Sequence, residues 1–589
     1  MVDAVGTTVY GYDVASELTS EDGPWSSDAV NYTYANRLRT GLSLQTPNGA
    51  AWTQGYGYDL ARRLTSLTSP AGTFGYTYDP VEAQRVDKLS LPNGAAITNS
   101  FDSVARLTGT WLRSSAGADF DSYVYTYNQA SQRTNVLRTA GDYVNYLYDG
   151  IGELTNVTSI QPPSGVYRAG ERLAYNYDGA GNLTTKWGYW NRAQYKTAYS
   201  LNQLNQITNS GFGNNSGSGW AGYIALTGST TSPATNVTVN GTSANAIYGD
   251  NTFGAFETVS AGANSFTAVA QDVYGRSSTS QSTVTVIPTN SGYAYDLNGN
   301  LLTDGTRNFG YDDENQLISV WQVSAWSNNF VYDGKMRRRI ERDFAWNGSA
   351  WTQTNEIRFV YDGNLVIQER DLNNQPQGTY TRCKDLSGSL QGAGGIGGLL
   401  ARSDRAQSIP GMVTSGGVSE FGTPSYYHAD GNGNITMLIA ASQMIVAKYL
   451  YDPFGNTLAR SGLLADVNNY RFSSKEWNGN SGLYYYLYRF YDPNLQRWVN
   501  RDPFLDEGFG AVQMVFYLEQ VLFRYIKPNR FLVVQNLYDF VGNDPADEYD
   551  YLGLRPGGGH MAHGLLVHRE RRRNIFLESR EIPALRSNA

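Results

Sequence analysis

The sequence predicts an all-β chain assembled as an array of β-hairpins. Three observations carry that expectation. A Tyr-x-Tyr-Asp unit recurs along most of the 589 residues. Gly (63) and Tyr (44) are abundant while charged residues make up only 17%, a balance that favours turns and aromatic strands over long helices. The unit returns at a spacing of roughly twenty residues, within the range of solenoid-like arrays.

The copies come in order along the chain. Tyr10-Gly-Tyr12-Asp13 is followed by Glu17-Leu18-Thr19, and Tyr56-Gly-Tyr58-Asp59 by Arg63-Leu64-Thr65. Tyr76-Thr-Tyr78-Asp79, Phe101-Asp102, Tyr146-Leu-Tyr148-Asp149 and Tyr175-Asn-Tyr177-Asp178 continue the series. Alternation in Tyr-x-Tyr puts both rings on one face of a strand. The Asp-x-x-Gly segment reads as a turn, because Asp bonds its own backbone and Gly accepts positive φ. Leu-Thr then returns the chain as the next strand. A lone hairpin cannot bury its aromatic face, so each unit must pair with its neighbours. This repeat array is expected over residues 1–215.

From 216 to 288 the repeat stops. Asn236-Val-Thr-Val239, Tyr248 to Phe253, Gly262 to Asp272 and Thr283-Val-Thr-Val286 are short alternating strands with Asn-Gly and Asp-Asn turns. They predict an inserted β-sandwich, with a core of Val237, Val239, Phe253, Phe266, Val269 and Val286 that is separable from the array. The segment is similar to bacterial Ig-like modules, without the Cys…Trp…Cys framework of antibody domains. The array resumes over 289–425 with Tyr293-Ala-Tyr295-Asp296, Tyr332-Asp333 and Tyr361-Asp362. Gly388 to Gly398 is glycine-dense but lacks the Lys-Ser/Thr ending of a phosphate loop, so an exposed loop is expected there. His428 lies in Tyr426-Tyr427-His428-Ala429-Asp430 and is expected to be hydrogen-bonded within a turn.

The stretch from Asn469 to Asp502 organises the rest. It holds Tyr470-Arg471-Phe472, a Gly479-to-Gly482 turn, the aromatic run Leu483 to Tyr491, Asp492-Pro493 and Asp502-Pro503. With the Tyr-Asp units before it, this stretch resembles the RHS/YD-repeat family and its repeat-associated core, expected here over 426–554. The family includes polymorphic-toxin shells and insecticidal toxin-complex C subunits. The resemblance implies a sheet spiralling around a hollow, a shell that encloses its own C-terminal toxin or peptide. It also implies an aspartyl-type autoprotease that cuts after the leucine of a Gly-Leu. Carried over residue by residue, the catalytic groups are Arg489, Asp502 and Asp550, and the cut falls between Leu554 and Arg555. Two carboxylates held close share a proton, and a nearby arginine stabilises the oxyanion. The same aspartates can equally serve as turn residues only.

Two features depart from the family pattern. Tyr551 stands where a proline is expected, and the aliphatic segment Ala511–Gln535 separates Asp502 from Asp550 beyond the family spacing. The tail 555–589 carries His560, His563 and His568 before a basic run. At about 35 residues it is too short for an unstapled catalytic domain.

Composition excludes other classes. The single cysteine, Cys383, rules out a disulfide framework or a cysteine metal cage, and no cofactor motif or metal site is expected. A net charge of −8 gives the shell no electrostatic case for nucleic acid. No apolar run is long enough to span a bilayer. The N-terminus has no basic and apolar leader and enters a repeat at once. The chain is therefore expected to be the downstream part of a longer protein, or to be exported by another route. The resemblance implies a bacterial protein, secreted or at the cell surface, whose partners are its enclosed cargo and a secretion apparatus or surface partner. A rival reading is a cell-surface adhesion protein with no toxin inside. A glycosidase would need two acids in a cleft, and nothing beyond the repeat aspartates suggests one.

Overall fold

The computed structural model describes residues 1–81, 84–190, 193–213, 222–290, 292–405, 422–502, 536–550 and 552–553. In it the repeat unit is an antiparallel hairpin with a bulge at its second tyrosine. Gly57 pairs with Ser66 but Tyr58 pairs with Leu64, so Thr65 is the extra residue. The same shift falls at Tyr78, Tyr148, Tyr177 and Tyr451. A bulge increases local twist, and repeated at every unit it curls the sheet.

Each residue type of the unit has one recurring job. The first tyrosine, such as Tyr56, Tyr76 or Tyr175, is buried. The second sends its hydroxyl to a backbone carbonyl of the preceding hairpin: Tyr58 to Arg39 (2.8 Å), Tyr78 to Leu64 (2.7 Å), Tyr148 to Arg133 (2.8 Å) and Tyr451 to Ile435 (2.8 Å). The aspartate ties the turn. Asp102 Oδ1 accepts the N–H groups of Val104 (3.0 Å) and Arg106 (2.9 Å), and Asp178 Oδ1 those of Ala180 (2.9 Å) and Asn182 (3.0 Å). The third residue after the aspartate is left-handed, as at Gly152 (φ 101) and Gly181 (φ 74), which is why Asp-x-x-Gly recurs. Where an arginine follows the turn, it pairs with the aspartate and stacks on the next unit's ring. Arg63 meets Asp59 at 2.7 Å and lies 4.8 Å over Tyr78, and Arg106 meets Asp102 at 2.6 Å and lies 4.8 Å over Tyr127. Units are thus linked by hydroxyl, ion pair and cation–π contact as well as by the strand ladder.

Among the described residues the units form two long meanders. The first is a 19-stranded sheet running from Val9–Tyr12 to Ile207–Phe212 and ending on Thr289–Asn290. The second has 14 strands, from Tyr293–Tyr295 to Thr457–Ser461. Their inner faces meet in one core, where Leu44, Trp52, Leu67 and Phe74 pack with Ile367, Met437 and Ile439. Phe74 and Tyr426 meet edge-to-face at 5.9 Å, and Arg39 reaches Asp362 across the sheets at 2.6 Å. His428 lies on this contact rather than in a turn. It is on the strand Pro424–Ala429, fully buried, with Nδ1 2.9 Å from Asp121 Oδ2 of the first sheet. The turn is made instead by Asp430, two residues on.

The glycine-dense loop differs from expectation in its second half only: Gly388, Ser389 and Gly392 are exposed. Ala393 to Gly395 and Gly398 are buried, with Asp385 Oδ2 accepting the N–H groups of Ala393 (2.7 Å) and Gly395 (3.1 Å). A Cβ on Gly433 would stand 2.9 Å from Gly397 N, so the glycines permit two backbones to touch rather than a surface excursion.

Residues 222–286 form two small sheets, Gly222–Ser229 with Ala246–Ile247 and Thr252–Val259, and Asn236–Val239 with Thr242–Ser243, Gly262–Gln271 and Ser277–Val286. Val237, Val239, Phe253, Phe266 and Val286 are buried between them. Val269 is not, because Phe266, Ala268 and Ala270 alternate inward and leave it on the opposite face. The insert also contacts both long sheets. Arg168 of the first sheet is buried against Asp250 (2.7 Å) and Thr252 (2.8 Å), and Thr227 and Ser229 bond the last strand of the second sheet.

The core stretch becomes a small four-stranded sheet, Glu476–Asn478, Leu483–Tyr485, Phe490–Asp492 and Arg497–Trp498. Phe472, Tyr484, Tyr486, Tyr491, Trp498 and Phe540 form its aromatic centre. It is tied to both long sheets: Arg497 donates to the Asn205 carbonyl at 2.6 Å, and the Arg338 N–H to the Tyr485 hydroxyl at 2.9 Å.

Candidate functional site

Arg489 ends a tight turn between the strands Leu483–Tyr485 and Phe490–Asp492. The Tyr486 N–H donates to the Arg489 carbonyl at 3.0 Å, and Leu487 takes a left-handed φ of 77°. A leucine held there is strained, and the surrounding aromatic packing sustains it. The turn sends the Arg489 side chain inward, where its guanidinium lies 4.1 Å over the Trp498 ring.

Two carboxylates converge on the same nitrogen. Arg489 Nη2 is 3.2 Å from Asp502 Oδ2 and 3.2 Å from Asp550 Oδ2. All three side chains are buried, Arg489 and Asp502 at 2% and Asp550 at 1% exposure; charges held so far from water must pair. Burial pushes the Arg489 guanidinium down from its ordinary value, and the two aspartates oppose that. Backbone fixes the aspartates. The Asp502 N–H donates to the Leu537 carbonyl at 3.2 Å, which also accepts from Arg489 Nη1 at 3.3 Å. Asp550 Oδ1 accepts from Leu552 (3.1 Å) and Gly553 (2.9 Å), leaving Oδ2 to the arginine.

The same arginine holds the chain that leads to the expected cut. Its Nε–H donates to the Gly553 carbonyl in a very short bond, and the Tyr488 N–H donates to the Leu552 carbonyl at 3.1 Å. Gly553 has φ 74°, and a Cβ there would lie 3.0 Å from Arg489 N and 3.1 Å from Tyr486 Cβ. The structure therefore brings Arg489, Asp502 and Asp550 together. Leu554, Arg555, Tyr551, the segment 511–535 and the histidines of the tail lie outside the described residues.

No family model matches the chain. Curated relatives do, each over part of its length. The tRNA3(Ser)-specific nuclease WapA of Bacillus spizizenii is 27% identical over 215 residues, 36% of this chain and 8% of that protein. The toxin subunit YenC1 of Yersinia entomophaga is 28% identical over 128 residues, 21% of this chain and 10% of that protein. The chain is similar to RHS/YD-repeat proteins. The matched part spans a tenth or less of these relatives' own lengths. A crystal structure of TcdB2–TccC3–Cdc42 aligns over 94% of this chain and 27% of its own, at 16% identity and a TM-score of 0.43.

Two neighbours of the site were not singled out by sequence. Lys475 is buried, with Nζ 2.9 Å from the Gly394 carbonyl and 5.2 Å over the Tyr486 ring. Burial pushes its ammonium down to about 7, and the charge of Asp550 opposes. Its signal is a lone lysine between Phe472-Ser473-Ser474 and the aromatic run. Gly553 is the other; its role as a close-approach residue shows only once Arg489 is packed against it. Among the described residues no group of His, Cys, Asp and Glu is placed to hold a metal, and no helix is long and apolar enough to cross a membrane.

Proposed function

We propose that this RHS/YD-repeat chain is a secreted bacterial shell that encloses its own C-terminal segment and cuts it free after Leu554. The observation that carries the reading is the convergence of Asp502 and Asp550 on one Arg489 nitrogen beside the Gly553 backbone. One carboxylate takes a proton from water as the water oxygen attacks the Leu554 carbonyl. The other, protonated, gives its proton to the carbonyl oxygen. Collapse of the tetrahedral adduct breaks the Leu554–Arg555 bond and passes a proton to the leaving nitrogen, so one water is consumed. Arg489 steadies the negative charge as it develops and, through Gly553, positions the strand to be cut. That the relatives are named a tRNA nuclease and a toxin subunit supports a toxin or its remnant as the cargo. In this reading 1–215 and 289–425 are shell, 216–288 an Ig-like insert, 426–554 the cutting core, and 555–589 the variable tail, with a secretion apparatus or surface partner handling export.

The test is intact mass on the purified chain. A body ending at Leu554 with a peptide starting at Arg555 is expected, and Asp502→Asn or Asp550→Asn should abolish the cut while Asp59→Asn leaves it. An intact full-length mass, persisting after deletion of 511–535 and Tyr551→Pro, would reduce these residues to turn-formers.

A further inference from the structure

The insert holds the two long sheets unequally. On the first sheet it is fixed by charge and depth. Arg168, with no exposed surface, bonds Asp250 and Thr252, and the Ala169 N–H donates to the Tyr248 hydroxyl at 2.8 Å. The chain then re-enters that sheet through Thr289–Asn290. On the second sheet it meets Thr457–Ser461, the terminal strand, which is laddered on one side to Ile445–Tyr451. Among the described residues the other edge of that strand is bonded by two side-chain hydroxyls. Thr227 Oγ1 donates to the Leu458 carbonyl and Ser229 Oγ to the Arg460 carbonyl, each at 2.5 Å. Directly behind this line is a partly open cavity of about 840 Å3 lined by Thr227, Leu458, Leu173, Lys186, Tyr195 and Trp477. All four bodies of the fold therefore contribute to its wall.

We infer that the insert is a lid over this cavity, hinged on the first sheet at Arg168 and latched to the second by Thr227 and Ser229. Neutral hydroxyl–carbonyl bonds at a sheet edge are weaker than a buried charge-assisted set, so local opening starts at the latch. Opening bares the edge of Thr457–Ser461 and lets an extended polypeptide pass between cavity and solvent; a bared strand edge can pair with such a segment on the way. The lid does not depend on a cut after Leu554.

A thiol reporter in the cavity wall, Thr197→Cys in a Cys383→Ser background, reads the opening by its rate of reaction with a maleimide carried on a short unstructured peptide. Thr227→Val with Ser229→Ala should raise that rate about tenfold or more, since each bond lost shifts the opening equilibrium. Thr227→Ser, which keeps the hydroxyl, should leave it near the parent value. Hydrogen exchange should rise at Thr457–Ser461 and stay unchanged at Val166–Tyr177. An unaltered labelling rate in the double variant would overturn the latch. Exchange rising equally on both sheets would overturn the hinge.

Discussion

The Nε–H of Arg489 donates to the carbonyl of Gly553 while its Nη2 touches both Asp502 and Asp550. One guanidinium therefore couples the backbone at Gly553 to the geometry of the acid pair. Gly553→Ala should uncouple them. Its left-handed φ and the 3.0 Å approach to Arg489 N impose a cost of about 1–2 kcal/mol on any side chain. Mass-spectrometric time courses should show cleavage slowed about tenfold or more with at most a small drop in the thermal melt. A cleavage rate equal to the parent would mean the strand docks another way.

Arg489→Lys keeps a positive charge but cannot reach two carboxylates and a carbonyl in one plane. Cleavage should fall by about 10², while the melting temperature drops modestly. Arg489→Met leaves two buried carboxylates without their cation, a loss of about 3–5 kcal/mol, and should lower the melt clearly. If both variants melt and cut alike, the arginine's role is packing on Trp498.

The repeat makes a prediction independent of the site. Tyr78→Phe removes only the hydroxyl, which donates to Leu64 and accepts from Lys384 Nζ, and should cost about 1–3 kcal/mol in denaturant unfolding with cleavage unaffected. Tyr12→Phe, at an exposed ring, serves as the comparison and should be near neutral.

Stability should depend on pH through buried glutamates beside the core sheet. Burial pushes the carboxyls of Glu341 and Glu369 upward, with Glu476 adding to both. Glu341 also accepts from Asn478 at 2.6 Å, and Glu369 from the Tyr380 hydroxyl at 2.9 Å. For an acid whose folded pKa is raised, the folded chain binds more protons between the unfolded and folded values. Its contribution is complete below the ordinary glutamate range and is lost as pH rises through the folded value. The melting temperature should therefore fall from about pH 5 to about pH 8, and Glu341→Gln should flatten the slope. A slope of the same size in Glu341→Gln would assign it to other groups.

The sequence by itself determined the hairpin array, because the bonds that build it are local. Asp59 reaches Arg63 four residues away and Tyr78 reaches Leu64 of the adjacent, preceding hairpin, so spacing alone encodes them. It also marked Arg489, Asp502 and Asp550 by motif, and the structure brings those three together. What it could not determine depends on surfaces hundreds of residues apart. His428 reads as a turn residue until Asp121 arrives from the other sheet. The second half of the Gly388-to-Gly398 loop reads as surface until Gly433 packs on it. The insert gives no sign in its sequence of the contacts that Arg168 on one sheet and Leu458 on the other make with it. In each case a short polar or glycine-rich stretch is compatible with solvent or burial. Only the closing of one sheet on another, driven by burial of the shared core around Trp52, Phe74 and Met437, decides which face meets water.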